Sequence, residues 1–274
     1  MKKIIGLLAI TAIIQSNVNA QTQKRYTIFN PVPREKMRDM STDRPDITES
    51  PQSVDAGHFQ IETDLFKTSS NKSDGIKSVE NNYNLANLKL GLSKNIDLQL
   101  VVASLVNTYE KDISGNKINN NNGFGDLTLR LKYNLWGNDG GKTAFAMMPY
   151  VNFPTSKDNE YVEPGIVFPF SLDLGNDFSF GTQAEFDLLK SQTKSGYHAS
   201  ILQSVVLGKE LTKSLEMFAE SYYNYDFEVQ QMQVSVNGGF GYSITPNVKF
   251  DIGFNIGVTK NTDKVYFIGF SFRY

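Results

Sequence analysis

Leu127-Thr128-Leu129-Arg130-Leu131-Lys132-Tyr133-Asn134-Leu135 alternates apolar and polar residues from end to end. A period of two sends successive side chains to opposite faces of an extended chain, so one face is wholly apolar and the other carries Arg130 and Lys132. A helix of this sequence would mix the two classes around its circumference. The stretch is a strand, and with its flank at 124–126 it reaches the ~9–11 residues that cross a membrane at a tilt.

Outward from this strand the alternation recurs to the last residue. It predicts twelve strands: 58–67, one ending at Leu88-Lys89-Leu90-Gly91-Leu92, 96–109, 124–135, 143–153, 162–174, 178–189, 197–209, 215–227, 232–243, 248–259 and 265–274. Every connection suits an antiparallel hairpin. Tight turns at 93–95, 137–141, 175–176, 210–214 and 244–247 alternate with longer polar loops at 68–78, 110–123, 154–161 and 190–196. The last two loops, near Glu228 and Asn261, are short. Short turns at one end and longer loops at the other suit an outer-membrane barrel with both termini on the periplasmic side.

Upstream the character changes. Lys2 and Lys3 precede an apolar run over 4–14, short of the ~20 residues of a membrane helix, and Val18-Asn19-Ala20 offers a small-residue cleavage site. Residues 1–20 are expected to be a cleaved export signal. Residues 21–56 carry Pro31, Pro33, Pro45 and Pro51 without periodicity and read as an irregular N-terminal segment. Residues 57–274 form the barrel. No later run approaches ~18 apolar residues, which leaves a soluble exported protein or a membrane β-barrel.

The chain has 274 residues, 27 Lys+Arg against 29 Asp+Glu, and no cysteine. Mild acidity gives no electrostatic reason for a nucleic-acid partner. The absence of cysteine removes disulfides, thiolate metal sites, a cysteine nucleophile and a lipoprotein anchor. With 19 Phe and 13 Tyr, the composition is that of many half-apolar strands.

Period two does not say which face is inside, since a soluble sandwich shows the same alternation. The strand lengths favour lipid outside. So do aromatic residues near strand ends, at Tyr109, Tyr133, Trp136, Tyr150, Phe153, 222–225 and Tyr242, which are expected to form interfacial girdles. The terminal run Tyr266-Phe267-Ile268-Gly269-Phe270-Ser271-Phe272-Arg273-Tyr274 resembles the targeting strand of bacterial outer-membrane proteins. That resemblance implies that Phe270, Phe272 and Tyr274 are read by the barrel-assembly machinery.

Ser41-Thr42-Asp43-Arg44-Pro45-Asp46-Ile47-Thr48-Glu49-Ser50-Pro51, followed by Val54-Asp55-Ala56-Gly57-His58-Phe59-Gln60-Ile61-Glu62, resembles the opening of the outer-membrane transporter family named for a MetA pathway of phenol degradation. The resemblance implies an all-β, antiparallel transmembrane β-barrel in the cell outer membrane that moves small molecules, hydrophobic and aromatic ones included. From the residues themselves, Asp43, Arg44, Asp46 and Glu49 make a compact charged cluster held extended by two prolines. Such a segment either folds into the lumen as a plug, against inward groups such as Gln60, Glu62, Arg130, Lys132, Glu185 and Glu220, or stays a solvated periplasmic tail. Interior Leu202, Phe218 and Tyr222 would narrow the bore.

Enzyme chemistry is not expected, nor is a cofactor or a metal. His58 and His198 fall on the polar face; Ser200 shares it with His198, but two residues along one strand separates their side chains by about 7 Å. The runs Gly123-Phe124-Gly125 and Gly238-Gly239-Phe240-Gly241 lie in strands, not at a strand-to-helix phosphate turn. Two functions remain: a channel or transporter for small molecules in outer-membrane lipid, or a structural or adhesive barrel with a filled lumen.

Overall fold

The computed structural model describes residues 25–73, 75–155, 160–260 and 262–274. The expected export signal at 1–20, part of the 154–161 loop and Asn261 lie outside them. The strands are β1 (Phe59–Ser73), β2 (Ile76–Ser93), β3 (Ile96–Lys111), β4 (Lys117–Gly123), β5 (Leu127–Trp136), β6 (Thr143–Phe153) and β7 (Glu163–Gly175). After them come β8 (Phe178–Lys190), β9 (Tyr197–Glu210), β10 (Leu215–Asp226), β11 (Gln231–Thr245), β12 (Val248–Gly257) and β13 (Lys264–Arg273).

Apart from β4 and β5, each strand pairs antiparallel with its sequence neighbours, and β1 closes the ring on β13 in the register Gln60↔Arg273. Phe59 and Tyr274 exchange backbone hydrogen bonds of 3.2 and 2.8 Å at the seam. β4 and β5 both lie on β3, at Val106–Lys111 and Ile96–Val102. They are one stave broken at 124–126, so the thirteen strands make a twelve-stave barrel.

The barrel is inside out. Lys132, Asp97, Gln99 and Asn134 are fully buried, whereas Leu207, Ile252 and Phe186 are 50–56 % exposed. A water-soluble protein distributes these types the other way. An apolar belt outside and a polar interior is the solution a lipid environment requires.

The structure corrects the reading of the loop end. Segments 68–78 and 110–123 are mostly strand: β1 and β2 pair out to Ser73↔Ile76, and β4 pairs with β3 up to Lys111↔Lys117. Their Asn, Ser and Thr side chains are polar on both faces, so alternation fades there while the backbone ladder continues. Two aromatic assignments also change. Tyr150 faces the lumen, its hydroxyl donating to Glu185 at 2.9 Å and to Asp187, and Tyr109 stands beyond the apolar belt between Lys111 and Lys117.

A bulge shifts the register of β1 between Asp64 and Phe66, leaving Leu65 exposed. Strict alternation would send Asp64 inward and Lys67 into lipid. The extra residue turns both inward, which is the use of a bulge where a charge must avoid hydrocarbon.

Candidate functional site

The site is the lumen, and the chain's own head segment occupies its turn-end half. Residues 25–40 lie at the turn end, where Ile28 donates to Leu92 O at 3.1 Å and Arg38 Nε meets Asp55 at 2.7 Å. Asp55 also faces Arg273 of the closing strand, at 3.5 Å. Gly91 is needed here, because a Cβ on it would sit 2.0 Å from Asp55 O, where the head runs against β2.

From Ser41 the chain rises into the barrel, turns, and returns by Ser50, whose hydroxyl lies 2.5 Å from that of Ser41. On the way up, Asp43 sits between two buried lysines: Lys132 Nζ at 2.7 Å and Lys89 Nζ, which Asp43 shares with Glu62. Asp43 N donates to Glu62 at 2.9 Å, and Gln60 Nε2 reaches Ser41 O at 2.8 Å. Arg44 holds Asp64 of β1 at 2.6 Å and grips both carboxylate oxygens of Asp251 on β12, at 2.7 and 3.2 Å. Its guanidinium lies flat on Gly269, where a Cβ would come within 2.0 Å of Nη2, and faces the Phe267 ring at 5.5 Å.

Past the turn, Ile47 N and Thr48 N both donate to the Glu220 carboxylate at 2.8 Å. Glu49 N donates to Gln183 at 2.7 Å, and the Glu49 carboxylate meets Arg130 at 2.5 Å. The descending arm is held by Lys132 on Ser50 O, Asn134 on Pro51 O and Asp97 accepting from Val54 N, at 2.7, 2.8 and 2.9 Å. The tip is about halfway up at most: Asp64 is the sixth residue of the fifteen in β1 and Glu220 the sixth of the twelve in β10.

Two cavities flank the tip. One of about 630 Å³ opens toward the loops, between Asp64, Lys67 and Phe267 on one side and β10–β12 on the other. A second of about 330 Å³ opens toward the turns, past Ser179, Lys209 and Glu216. Arg44, Pro45 and Asp46 line both. Phe218, among the residues expected inside, lines the lower cavity; Leu202 and Tyr222 line the upper one.

Of the expected lumen groups, Gln60, Glu62, Arg130, Lys132 and Glu220 meet the head directly. Glu185 instead accepts from Tyr150 and Gln183 of the wall, at 2.9 and 3.2 Å. Asp46 contributes to the partition between the cavities. Lys89, Asp64, Asp251, Thr48, Gln183 and Asp97 were not among the expected residues. For Lys89, Asp64, Asp97 and Asp251 the signal was present: a charged residue in the middle of a lipid-facing alternation, as in Leu88-Lys89-Leu90, must point inward and find an opposite charge there.

Ser200 and His198 do not meet. Ser200 Oγ donates to Asn224 at 2.7 Å, and His198 faces Asp226 and Glu228 at 3.2 and 3.4 Å. On the closing strand, Phe270 packs on Phe250 with ring centroids 5.0 Å apart, and the Arg34 guanidinium covers the Tyr274 ring at 4.3 Å.

Among solved structures the chain is similar to the NanC porin, with 10 % identity and a TM-score of 0.53 over 77 % of this chain and 98 % of that one. It is also similar to the KdgM porin, at 8 % identity and TM-score 0.49 over 78 % and 98 % of the two chains. The CymD monoaromatic hydrocarbon channel aligns at 10 % identity and TM-score 0.45 over 79 % and 88 %. No curated protein matches the sequence at a significant level. The inside-out burial and the barrel fold shared with the NanC porin make this a transmembrane β-barrel. The family model described as "Putative MetA-pathway of phenol degradation" matches residues 42–274, from within the head segment to the last strand, and the chain belongs to that family.

Proposed function

We propose that the protein is a non-enzymatic outer-membrane channel for small molecules in which residues 41–51 act as a lumenal plug. The observation that carries this reading is the shared wall. The cavities of about 630 and about 330 Å³ open to opposite ends of the barrel, and Arg44, Pro45 and Asp46 stand between them. Withdrawing that short turn joins them into one polar passage.

The sequence features support the same account of biogenesis. A cleaved signal over 1–20 would export the chain, and Phe270, Phe272 and Tyr274 would present the closing strand to the barrel-assembly machinery. β13 closes the ring on β1, a position that suits a recognition element.

Single-channel conductance in a planar bilayer tests the plug. Because Ser41 and Ser50 already touch, residues 42–49 can be replaced by one glycine without pulling on either arm. The variant is expected to insert normally, to conduct more than the full chain and to differ in ion selectivity. Equal conductance would make the segment a docked tail without a gating role. If neither form conducts, the structural or adhesive reading stands in place of the channel.

A further inference from the structure

The wall of the upper cavity over β10–β12 is built from uncharged hydrogen-bonding side chains: Tyr222, Asn224, Gln233, Ser235, Asn237 and Asn255. They form one patch, because Tyr222 pairs with Ser235, Asn224 with Gln233, and Asn237 with Asn255. Within it two amide donors are committed to the wall. Asn237 Nδ2 donates to Glu220 at 2.6 Å, and Asn255 Nδ2 donates to the Tyr222 hydroxyl. Asn237 Oδ1, Asn255 Oδ1 and Ser235 Oγ have no partner in the protein, although their residues are only 5, 6 and 1 % exposed. A buried polar atom without a partner costs free energy, and two amide oxygens and one hydroxyl on neighbouring strands at the edge of one cavity make a local shortage of hydrogen-bond partners.

The chemistry that meets this shortage is specific. Cross-strand partners stand about 4.5–5.5 Å apart and successive inward residues about 7 Å apart. A rigid solute with several hydroxyls can serve more than one of these acceptors at once; a phenol, with one hydroxyl, serves one. Val265 and Phe267 on β13 and Leu202 on β9 offer the same cavity apolar surface for C–H groups. The nearby Glu220 carboxylate is already met by Ile47 N, Thr48 N and Asn237, and Asp64 by Arg44, so the patch does not present them as free charges to a cation. We infer that this patch is a binding subsite for neutral polyhydroxylated solutes, sugars and polyols, in the outer vestibule. The inference rests on the channel reading and narrows its solute class away from the hydrophobic aromatics expected from the family resemblance.

The test is equilibrium binding of glucose and maltose to the full chain in detergent, followed by saturation-transfer NMR, with phenol and propylamine as comparators. Saturable sugar binding is expected, weakened roughly fivefold or more in Asn237→Leu and in Asn255→Leu, a factor set by the loss of one net hydrogen bond. Ser235→Ala, too small a change to endanger folding, should weaken it by a lesser factor. Retained heat-modifiable mobility on a gel certifies the barrel in each variant. Absence of saturable sugar binding overturns the inference, as does sugar binding that all three variants leave unchanged. Phenol or propylamine binding that these variants abolish equally would overturn it too. Binding does not require conduction. A barrel that binds sugar but never conducts defeats the channel alone, and one that conducts without the plug but binds no sugar defeats this inference alone.

Discussion

Below Arg44 the lumen is crossed by the chain itself and lined with paired charges; above it the lumen is open and its wall over β10–β12 is made of amides and hydroxyls. Lys89, Lys132, Asp43 and Glu62 lie within a few ångströms of one another with almost no solvent. Asn237, Asn255 and Ser235 are as deeply buried but uncharged. The difference shows what each kind of polar group does in a barrel. A buried ion pair adds little net stability over an apolar substitute, yet removing one partner is severe because the other charge is left without water. Charges therefore hold one segment in one place. Neutral groups bind weakly and exchange partners, which suits a solute that must leave.

The largest expected effect tests the lower half. Lys89→Met removes the cation that Asp43 and Glu62 share, and should cost about 3–5 kcal/mol, as for other broken buried pairs. Urea unfolding followed by Trp136, the sole tryptophan, measures it, and protease cleavage within the head reports whether the plug has left. The same exchange at Lys67, which lines the upper cavity, should cost under about 1 kcal/mol. Equal costs at the two lysines would erase the distinction between the halves.

A second change works at the boundary. Gly269→Ala places a Cβ 2.0 Å from Arg44 Nη2 and must lift the guanidinium off β13. Losing the charge-assisted bonds to Asp251 should cost about 1.5–3 kcal/mol and raise the frequency of open-channel events in the bilayer recording. An unchanged recording, with the variant folded, would show that Arg44 does not hold the partition.

How far this arrangement could be read beforehand differs between the two parts. The barrel was legible because alternation is a local property: Leu127 to Leu135 announces its two faces without help from any other strand. The pairing of the head with the wall was only half legible. Asp43, Arg44, Asp46 and Glu49 marked themselves as a charged cluster, and Arg130, Lys132 and Glu220 as inward groups. Which acid meets which base depends on the stagger of strands around the ring, and no local pattern encodes it. Asp251 reaches Arg44 across 207 positions of sequence, and Asp64 across 20. The long β1–β4 hairpins escaped for a related reason. Backbone pairing continues where side chains are polar on both faces, and alternation then has nothing to report.

The smallest effect concerns the rim above the vestibule. Glu228, in the turn between β10 and β11, accepts hydrogen bonds from Ser191 Oγ, Gln192 N at 2.9 Å and Thr193 Oγ1 at 2.7 Å, pinning the β8–β9 loop. Those bonds, Ser191 first, hold its carboxyl down to about 2 from the ordinary 4.5. A carboxyl depressed by folding supports the structure above its unfolded value and ceases to do so as the pH falls toward the folded one. The loop should therefore stay ordered at neutral pH and loosen between about pH 4.5 and 2. His198 faces the same carboxyl at 3.4 Å and is itself paired with Asp226 at 3.2 Å, and Glu228→Gln leaves both residues in the chain, which isolates its contribution. Amide exchange at Gln192 and Thr193 is the measurement. Protection should fall with pH in the natural chain, while Glu228→Gln should be less protected at pH 7 and nearly indifferent to acid. Because the residues that bond Glu228, namely Ser191, Gln192, Thr193, Asp226 and His198, belong to neither the plug nor the neutral wall, plug retention and sugar binding should not move with it. If either follows the exchange of Gln192, the vestibule and the loops above it are one mechanical unit, and the division of the lumen at Arg44 is not the only one that matters.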